Sequence, residues 1–183
     1  MLIDGPKSAL LIVDVQERLL PAMADPDIVV KNCGILIKAA NTVEVPVLAS
    51  EQYPKGLGHT VAPVREALGN APVFEKLAFS CWRDKLLKSK LIDFHEHGRP
   101  MVVVAGIEAH VCALQTCIDL CNAGFGVFAV ADAMSSRAPS SVDMALHRMR
   151  QAGVEVVNTE MAVFELLKAA GTADFKTLSA LIR

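Results

Sequence analysis

Short runs of apolar, often β-branched residues alternate along this chain with longer segments in which apolar residues recur at helical spacing. The short runs are continuously apolar, as expected for strands that helices cover on both faces. This alternation predicts βαβ units around a parallel sheet, and therefore an α/β fold. The predicted strands cover residues 9–15, 45–50, 72–76, 100–106, 126–132 and 154–158. The predicted helices cover residues 28–42, 83–97, 109–122, 140–152 and 159–169.

The composition is typical of a compact globular protein. The 183 residues, 52% of them hydrophobic and 21% charged, fit one domain spanning residues 1–183. The balance of 18 basic and 20 acidic residues provides no basic surplus for nucleic acid, so no nucleic-acid partner is expected. The surplus of apolar residues favours a homo-oligomer, a dimer or higher, although an unusually apolar core gives the same composition.

The sequence predicts neither a secretory signal nor a membrane-spanning segment. Its first residues, MLIDGPKSALLIVDVQ, place an acidic residue before a short apolar run and lack the basic leader of a secretory signal. No apolar stretch approaches the roughly 20 residues that a membrane-spanning helix needs, so no membrane partner is expected. Five cysteines without a CxxC pair indicate free thiols in a reducing compartment. We therefore predict a cytoplasmic protein.

The helix predicted over residues 109–122 carries cysteines on two faces. At about 100° per residue, Cys112 lies in the first turn and nearly opposite an apolar stripe with i, i+3, i+4, i+7 spacing. The stripe consists of Leu114, Cys117, Ile118 and Cys121. We therefore expect Cys117 and Cys121 to pack in the core, whereas Cys112 is set apart.

Three chemically active residue types stand at the ends of predicted strands. Asp14 closes the first apolar run, Lys76 closes the third strand, and Cys112 opens the helix after the fourth. In an open parallel sheet the functional crevice lies outside the carboxyl ends of the strands. A helix N-terminus and a nearby ammonium group are expected to lower the pKa of a thiol, which is ordinarily about 8.5.

Together the three residues suit amide cleavage. A carboxylate can take the thiol proton and return it to a leaving amine, while the lysine holds the anionic partners. Backbone N–H groups at the helix start can receive the oxyanion. Taken alone, Asp14 is equally compatible with capping a turn.

The segments LLIVDVQ, FEKLAFSCW, VVVAGIEAHVCALQT and VADAMSSR, between residues 9 and 164, resemble the isochorismatase-like cysteine hydrolases, which include nicotinamidases and carbamoylsarcosine amidohydrolases. The strings EQYPKGLG and GIEAHVC look like the isochorismatase domain-containing subgroup. The resemblance implies a three-layer, doubly wound, six-stranded and mainly parallel sheet. Asp14, Lys76 and Cys112 match the Asp-Lys-Cys triad of the family one by one.

The resemblance also implies roles for these residues. Cys112 is the expected nucleophile, Asp14 the proton acceptor and donor, and Lys76 the electrostatic partner. A non-proline cis peptide is expected between Ile107 and Glu108, which aims the N–H groups of Glu108 and Cys112 into an oxyanion hole.

Two departures from family patterns narrow the expected activity. Nicotinamidases carry an Asp-x-His metal motif after the second strand, but the corresponding SEQYPKGLGHT offers only Glu51 and His59. These two leave most positions of a zinc or iron shell unfilled, so we expect no catalytic metal and no cofactor. True isochorismatases generally lack the cysteine, so Cys112 argues against vinyl ether hydrolysis.

Further residues are candidates for the substrate pocket, and all except Tyr53 have an alternative role. The candidates are Gln16, Tyr53, Phe79, Trp82 and His110. Gln16 contacts substrate or caps its loop, and His110 contacts substrate or simply begins the helix. Phe79 lines the rim or packs in the core. Trp82 lines the rim or belongs to a subunit interface.

Asp132 and Arg137 are expected to pair with each other and hold a loop rather than to contact substrate. The leading functional hypothesis is a metal-independent cysteine hydrolase that cleaves a small amide or related C–N bond through a Cys112 thioester. The alternatives are vinyl ether hydrolysis with Asp14 as the acid, and a binding or scaffold protein without enzymatic activity.

Overall fold

The six predicted strands form one parallel sheet in a computed structural model that describes residues 1–182. The strands are β1 (Ser8–Val13), β2 (Val47–Gln52), β3 (Val73–Lys76), β4 (Met101–Ile107), β5 (Gly126–Ser135) and β6 (Glu155–Val157). Their order across the sheet is β3-β2-β1-β4-β5-β6, and every pairing is parallel. The chain builds outward from β1 to β3 and then restarts at β4 beside β1. The predicted doubly wound α/β fold is confirmed, with its switch point between β1 and β4.

Helices cover both faces of the sheet. They are α1 (Pro26–Thr42), α2 (Pro54–Leu57), α3 (Ala62–Leu68), α4 (Lys85–Glu96), α5 (Leu114–Asn122), α6 (Pro139–Gln151), α7 (Thr159–Leu167) and α8 (Ala173–Ser179). Alternate residues of β1 enter two separate apolar cores, with Leu10 and Ile12 on one side and Leu11 and Val13 on the other. Helices α1, α3, α7 and α8 contribute to the first core, and α4, α5 and α6 contribute to the second.

Several boundaries differ from the prediction. The helix predicted from residue 83 begins at Lys85, because the Asp84 side chain accepts hydrogen bonds from the backbone of Leu86 and Leu87 and caps the helix. The helices α2, α3 and α8 were not predicted because they are at most seven residues long and show too few turns to display a period. Within residues 1–182, no helix has the length and apolar character needed to cross a membrane.

Contact between β1 and β4 is unusually close where the site begins. Val13 pairs with Gly106, which adopts a φ of 116°. A Cβ atom on Gly106 would overlap the backbone of Val13. Glycine at this position therefore lets the carboxyl ends of β1 and β4 meet, and Asp14 follows one of them directly.

Candidate active site

Asp14 and Lys76 form a fully buried ion pair at the carboxyl edge of the sheet. Asp14 follows β1 with a left-handed φ of 52°, and Lys76 is the last residue of β3. The Lys76 Nζ lies 2.7 Å from Asp14 Oδ2, and both side chains have 0% exposure. β2 lies between their strands, so the pair reaches across one strand of the sheet.

The Lys76 ammonium group has acceptors on several sides. It donates to Asp14, to Gln52 Oε1 at 2.9 Å, and to the carbonyl oxygens of Ala78 and Phe79 at 3.2 and 3.0 Å. Burial alone would lower the pKa of Lys76, but the charges of Asp14, Cys81 and Cys112 and the hydrogen bond to Asp14 together outweigh burial and raise it. Lys76 is therefore a fixed positive charge inside the site.

The second carboxylate oxygen of Asp14 accepts a hydrogen bond from a residue of β2. The Ser50 hydroxyl donates to Asp14 Oδ1 at 2.8 Å and accepts from the thiol of Cys81 at 3.4 Å. Ser50 and Gln52 therefore hold the two members of the ion pair from the same strand. Sequence reasoning missed both, although Ser50 closes a predicted strand in the same way as Asp14 and Lys76 do.

Cys112 lies in a π-helical turn, Ala109–Ala113, which leads into α5. The carbonyl oxygen of Glu108 accepts from the backbone N–H groups of Val111 and Ala113, the residues on either side of Cys112. The wider turn shifts Cys112 relative to the regular helix that the sequence predicted. Cys117 is fully buried and Cys121 half-buried on α5, so the packing role predicted for Cys117 is confirmed.

The pKa of Cys112 is raised, contrary to the expectation that the helix start and the ammonium group lower it. Burial contributes most, and the charge of Asp14 adds to it, while the opposing effect of Lys76 is smaller. Cys112 therefore lies within electrostatic reach of both Asp14 and Lys76, and its raised pKa favours the protonated thiol at neutral pH.

The peptide bond between Ile107 and Glu108 is cis. The Glu108 carboxylate, nearly buried, accepts from Arg137 Nε at 3.1 Å and from the Arg137 backbone at 3.3 Å. The predicted pairing of Asp132 with Arg137 is wrong. β5 runs on to Ser135, so Asp132 lies within the strand and accepts from the backbone and hydroxyl of Thr159 at 2.7 and 2.8 Å.

The side chains of two pocket candidates form hydrogen bonds with other protein groups. Gln16 is fully buried, and its side chain binds the backbone of Gln52 and the carbonyl oxygen of Gly58, which supports the loop-cap alternative. His110 lies at the start of the π turn, with Nδ1 2.9 Å from Ser136 Oγ.

The aromatic candidates differ in exposure. Tyr53 is 51% exposed and Phe79 54% exposed, so the core alternative for Phe79 is wrong. Trp82 is half-buried and packs edge-on against Phe125, at 5.5 Å between ring centroids. A cleft of about 490 Å³ is lined by Tyr53 and Lys76 among others. The cleft borders Lys76, but neither Asp14 nor Cys112 lines it.

Glu51 and His59 form a separate pair on the neighbouring loop. The buried Glu51 carboxylate lies 3.0 Å from His59 Nδ1 and accepts from the backbone and hydroxyl of Thr60 at 2.7 and 2.8 Å. Burial alone would raise the pKa of Glu51, but these hydrogen bonds lower it. Across residues 1–182, no three His, Cys, Asp or Glu side chains are grouped so that they could hold a metal ion.

Comparison with known proteins agrees with this architecture. Residues 8–161 match the Isochorismatase domain model. The secreted isochorismatase effector Isc1 of Phytophthora sojae is 36% identical over 179 residues, which cover 96% of this chain and 84% of the relative. Isochorismatase domain-containing protein 2 of Danio rerio is 37% identical over 176 residues, covering 96% and 86%.

A solved structure gives the same result. The MAR1 ribonuclease structure from Caenorhabditis elegans superposes with a TM-score of 0.91 at 35% identity, covering 100% of this chain and 92% of that one. The sheet order, the family match and these relatives agree. The chain belongs to the isochorismatase family of hydrolases.

Proposed function

We propose that this protein is a metal-independent cysteine hydrolase that cleaves the C–N bond of a small amide. The observation that carries the proposal is the buried Asp14–Lys76 ion pair, whose two charges both act on the thiol of Cys112. A thiol with a raised pKa needs a base at the moment of attack, and Asp14 is the carboxylate that acts on it. The ligands of such a reaction are small molecules that enter the cleft beside Tyr53 and Lys76.

The first half of the reaction forms a thioester. Cys112 Sγ attacks the amide carbonyl carbon as its proton passes to Asp14, which yields a tetrahedral intermediate with a negatively charged oxygen. Asp14 then gives the proton to the amide nitrogen, the C–N bond breaks, and ammonia or an amine leaves. Lys76 remains protonated throughout and offsets the negative charge that moves between Asp14 and the substrate oxygen.

The oxyanion is stabilised by backbone N–H groups, for which we propose those of Glu108 and Cys112. The Glu108 carbonyl oxygen accepts hydrogen bonds from the N–H groups of Val111 and Ala113, which fix the backbone on both sides of Cys112. Donors fixed in this way need no rearrangement as charge develops on the substrate oxygen.

The second half of the reaction releases the acid. Water attacks the thioester carbon while Asp14 takes its proton, and the C–S bond then breaks. The carboxylic acid product leaves, and the proton on Asp14 returns to the sulfur of Cys112. Atoms and charge balance over the cycle, with water as the only co-reactant.

The proposal is tested with a panel of small primary amides, with ammonia release and the intact mass of the protein as readouts. We expect ammonia release from at least one amide and a mass increase equal to its acyl group. Cys112→Ala abolishes both, whereas the matched Cys121→Ala, on the half-buried side of α5, retains them. Unchanged hydrolysis by Cys112→Ala rejects the proposal.

Vinyl ether hydrolysis is the second candidate, favoured by the name isochorismatase that a 36% identical relative carries. In that reaction Asp14 is the acid and Cys112 takes no part. Pyruvate release from isochorismate that survives in Cys112→Ala favours this candidate. A binding or scaffold role without catalysis instead predicts no turnover with either substrate class.

Because the 35% identical structure is named a ribonuclease, RNA is added as a third class of substrate in the same assay. A labelled single-stranded RNA is incubated with the protein under the same conditions. We expect no cleavage, because the 18 basic residues are outnumbered by 20 acidic ones and provide no general attraction for phosphates. Cleavage that Cys112→Ala removes assigns the site to phosphodiesters.

We also propose a cytoplasmic homo-oligomer. The five cysteines are free, as suits a reducing compartment. Large apolar side chains on the surface, among them Leu77 at 76% and Phe79 at 54% exposure, suit a subunit interface near the site. Light scattering coupled to size-exclusion chromatography tests the assembly state, and a mass of 19.6 kDa in solution rejects it.

A further inference from the structure

Gln52, the last residue of β2, uses every polar group of its side chain next to Lys76. Its Oε1 accepts from Lys76 Nζ at 2.9 Å, and its Nε2 donates to the carbonyl oxygen of Leu77 at 2.8 Å. The reverse amide orientation would set an NH₂ group against the ammonium and an oxygen against a carbonyl. Only one orientation therefore satisfies both partners, and that orientation presents an acceptor to Lys76.

Gln52 is itself held by Gln16. The Gln16 side chain accepts from the backbone N–H of Gln52 at 2.7 Å and donates to its carbonyl oxygen at 3.0 Å. Gln16 lies two residues after Asp14, and Asp14 accepts a hydrogen bond from the Lys76 ammonium group. Hydrogen bonds therefore connect Asp14 to Lys76, Lys76 to Gln52, and Gln52 to Gln16, which belongs to the same chain segment as Asp14.

Strand register explains why Gln52 reaches Lys76. In the pairing of β2 with β3, Gln52 lies directly opposite Lys76. The two side chains therefore start from adjacent backbone positions at the sheet edge. The four-carbon stem of a lysine has many rotamers, and an acceptor fixed at this distance selects among them.

We propose that Gln52 is a positioning residue that fixes the Lys76 ammonium group on Asp14 and beside Cys112, and that Gln16 anchors Gln52 for this task. The proposal rests on the proposed function, in which Lys76 supplies the electrostatic stabilisation. Gln52 acts through Lys76 and does not react with substrate. The titratable groups that act on Lys76 are Asp14 after β1, Cys81 in the turn after β3, and Cys112 in the π turn.

The experiment measures alkylation of Cys112 by iodoacetamide, which requires no knowledge of the substrate. Purified full-length protein is sampled over time between pH 6 and 10, and modification of each cysteine is quantified by peptide mass spectrometry. The variants are Gln52→Met, which keeps the size of the side chain but removes both hydrogen bonds, and Gln52→Glu, which keeps an acceptor but adds a charge. Gln151→Met, an exposed change at the end of α6, is the matched control.

We expect Gln52→Met to slow alkylation of Cys112 by about 10-fold, because a less constrained ammonium stabilises the developing thiolate less well. Gln52→Glu is expected to move the alkylation profile by about one pH unit toward alkaline pH, because its carboxylate partly offsets the Lys76 charge. Gln151→Met is expected to match the wild type. Alkylation of half-buried Cys121 serves as an internal measure of folding and is expected to stay constant in all variants.

A double-mutant cycle separates positioning from a general structural effect. In a Lys76→Met background, Gln52→Met is expected to have no further effect on Cys112, because the group that Gln52 positions is absent. A further 10-fold loss in that background rejects the proposal, as does wild-type alkylation in Gln52→Met itself. Failure of the amide assay leaves these results intact, so loss of the proposed function and loss of the positioning role are distinguishable.

Discussion

Two pairs of a carboxylate and a basic side chain lie at the carboxyl ends of β1, β2 and β3 and have opposite environments. Asp14 and Lys76 are both completely buried, whereas Glu51 is buried but its partner His59 is 73% exposed. Glu51 stands between Ser50 and Gln52 on β2, so its side chain points to the other face of the strand. A single strand therefore serves a closed polar site on one face and an open loop contact on the other.

The comparison indicates what each pair is for. A buried ion pair loses much of its attraction to desolvation, so it is a costly way to hold a fold together. Asp14 and Lys76 are nevertheless kept, with Asp14 bonded through both oxygens and Lys76 surrounded by acceptors. This arrangement suits a charge that must stay near a reacting thiol. The Glu51 pair fastens the segment that contains His59 and Thr60, for which one shared carboxylate is enough.

The largest effect is expected from breaking the buried pair. Lys76→Met leaves Asp14 buried without its counter-ion, which costs about 3–5 kcal/mol of unfolding free energy. Amide hydrolysis is expected to fall roughly 10³-fold or more, because residues that act as a unit lose activity together. Urea unfolding and kcat/KM measure the two losses.

A second variant sharpens this result. Replacing both partners, in Asp14→Leu with Lys76→Met, removes the unpaired charge and is expected to restore much of the stability but none of the activity. Wild-type stability in Lys76→Met alone contradicts a buried, mutually dependent pair.

A smaller effect is expected from Ser50, which holds the other oxygen of Asp14. Ser50→Ala removes one buried hydroxyl, and the matched Ser8→Ala removes another at the opposite end of the sheet, where Ser8 donates to the Asp4 carbonyl oxygen at 2.8 Å. Each is expected to cost about 1 kcal/mol of unfolding free energy. Only Ser50→Ala is expected to lower kcat, by roughly 10-fold with KM unchanged, because it loosens the base. Equal kcat in the two variants rejects a role for Ser50 in orienting Asp14.

The sequence predicts the part of this site that follows from strand ends. Asp14, Lys76 and Cys112 each end an apolar run or follow one, and parallel strands bring such residues to one edge. Ser50 closes a predicted strand in the same way and could have been found. Gln52 could not, because β2 extends two residues beyond its predicted end at residue 50 and only strand register places Gln52 opposite Lys76.

Other features depend on local geometry that periodicity does not encode. The prediction assumed a regular helix of about 100° per residue, and that assumption does not allow for the π turn around Cys112. The Asp132–Arg137 prediction relied on nearness in sequence, but the end of β5 separates the two, and Arg137 meets Glu108 instead. The direction of the Cys112 pKa depends on burial and on Asp14, both set by tertiary packing. The cis peptide was expected only from the family resemblance.

The smallest effect is expected from the exposed pair, and it depends on pH. The hydrogen bond and charge of Glu51 raise the pKa of His59 above its ordinary value of about 6.5. A group whose pKa is higher in the folded state stabilises the fold fully below the unfolded value, and this contribution disappears as pH rises through the folded value. The pKa of Glu51 is lowered, so its own contribution is present above about 4.3 and is lost in acid.

His59→Gln is therefore expected to lower the Tm slightly between about pH 5 and 6.5 and to have no effect near pH 9. Glu51→Ala removes both carboxylate oxygens, one of which accepts from Thr60 while the other contacts His59, so its Tm loss is expected to persist at pH 9, where His59 is neutral in both states. Thermal unfolding of both variants across this range measures the difference. Hydrolysis is expected to be nearly unchanged in His59→Gln, because the imidazole bonds Glu51 on the face of β2 that points away from Asp14. A Tm difference for His59→Gln that grows toward alkaline pH contradicts the sign of the pKa shift and with it the loop-fastening role of the pair.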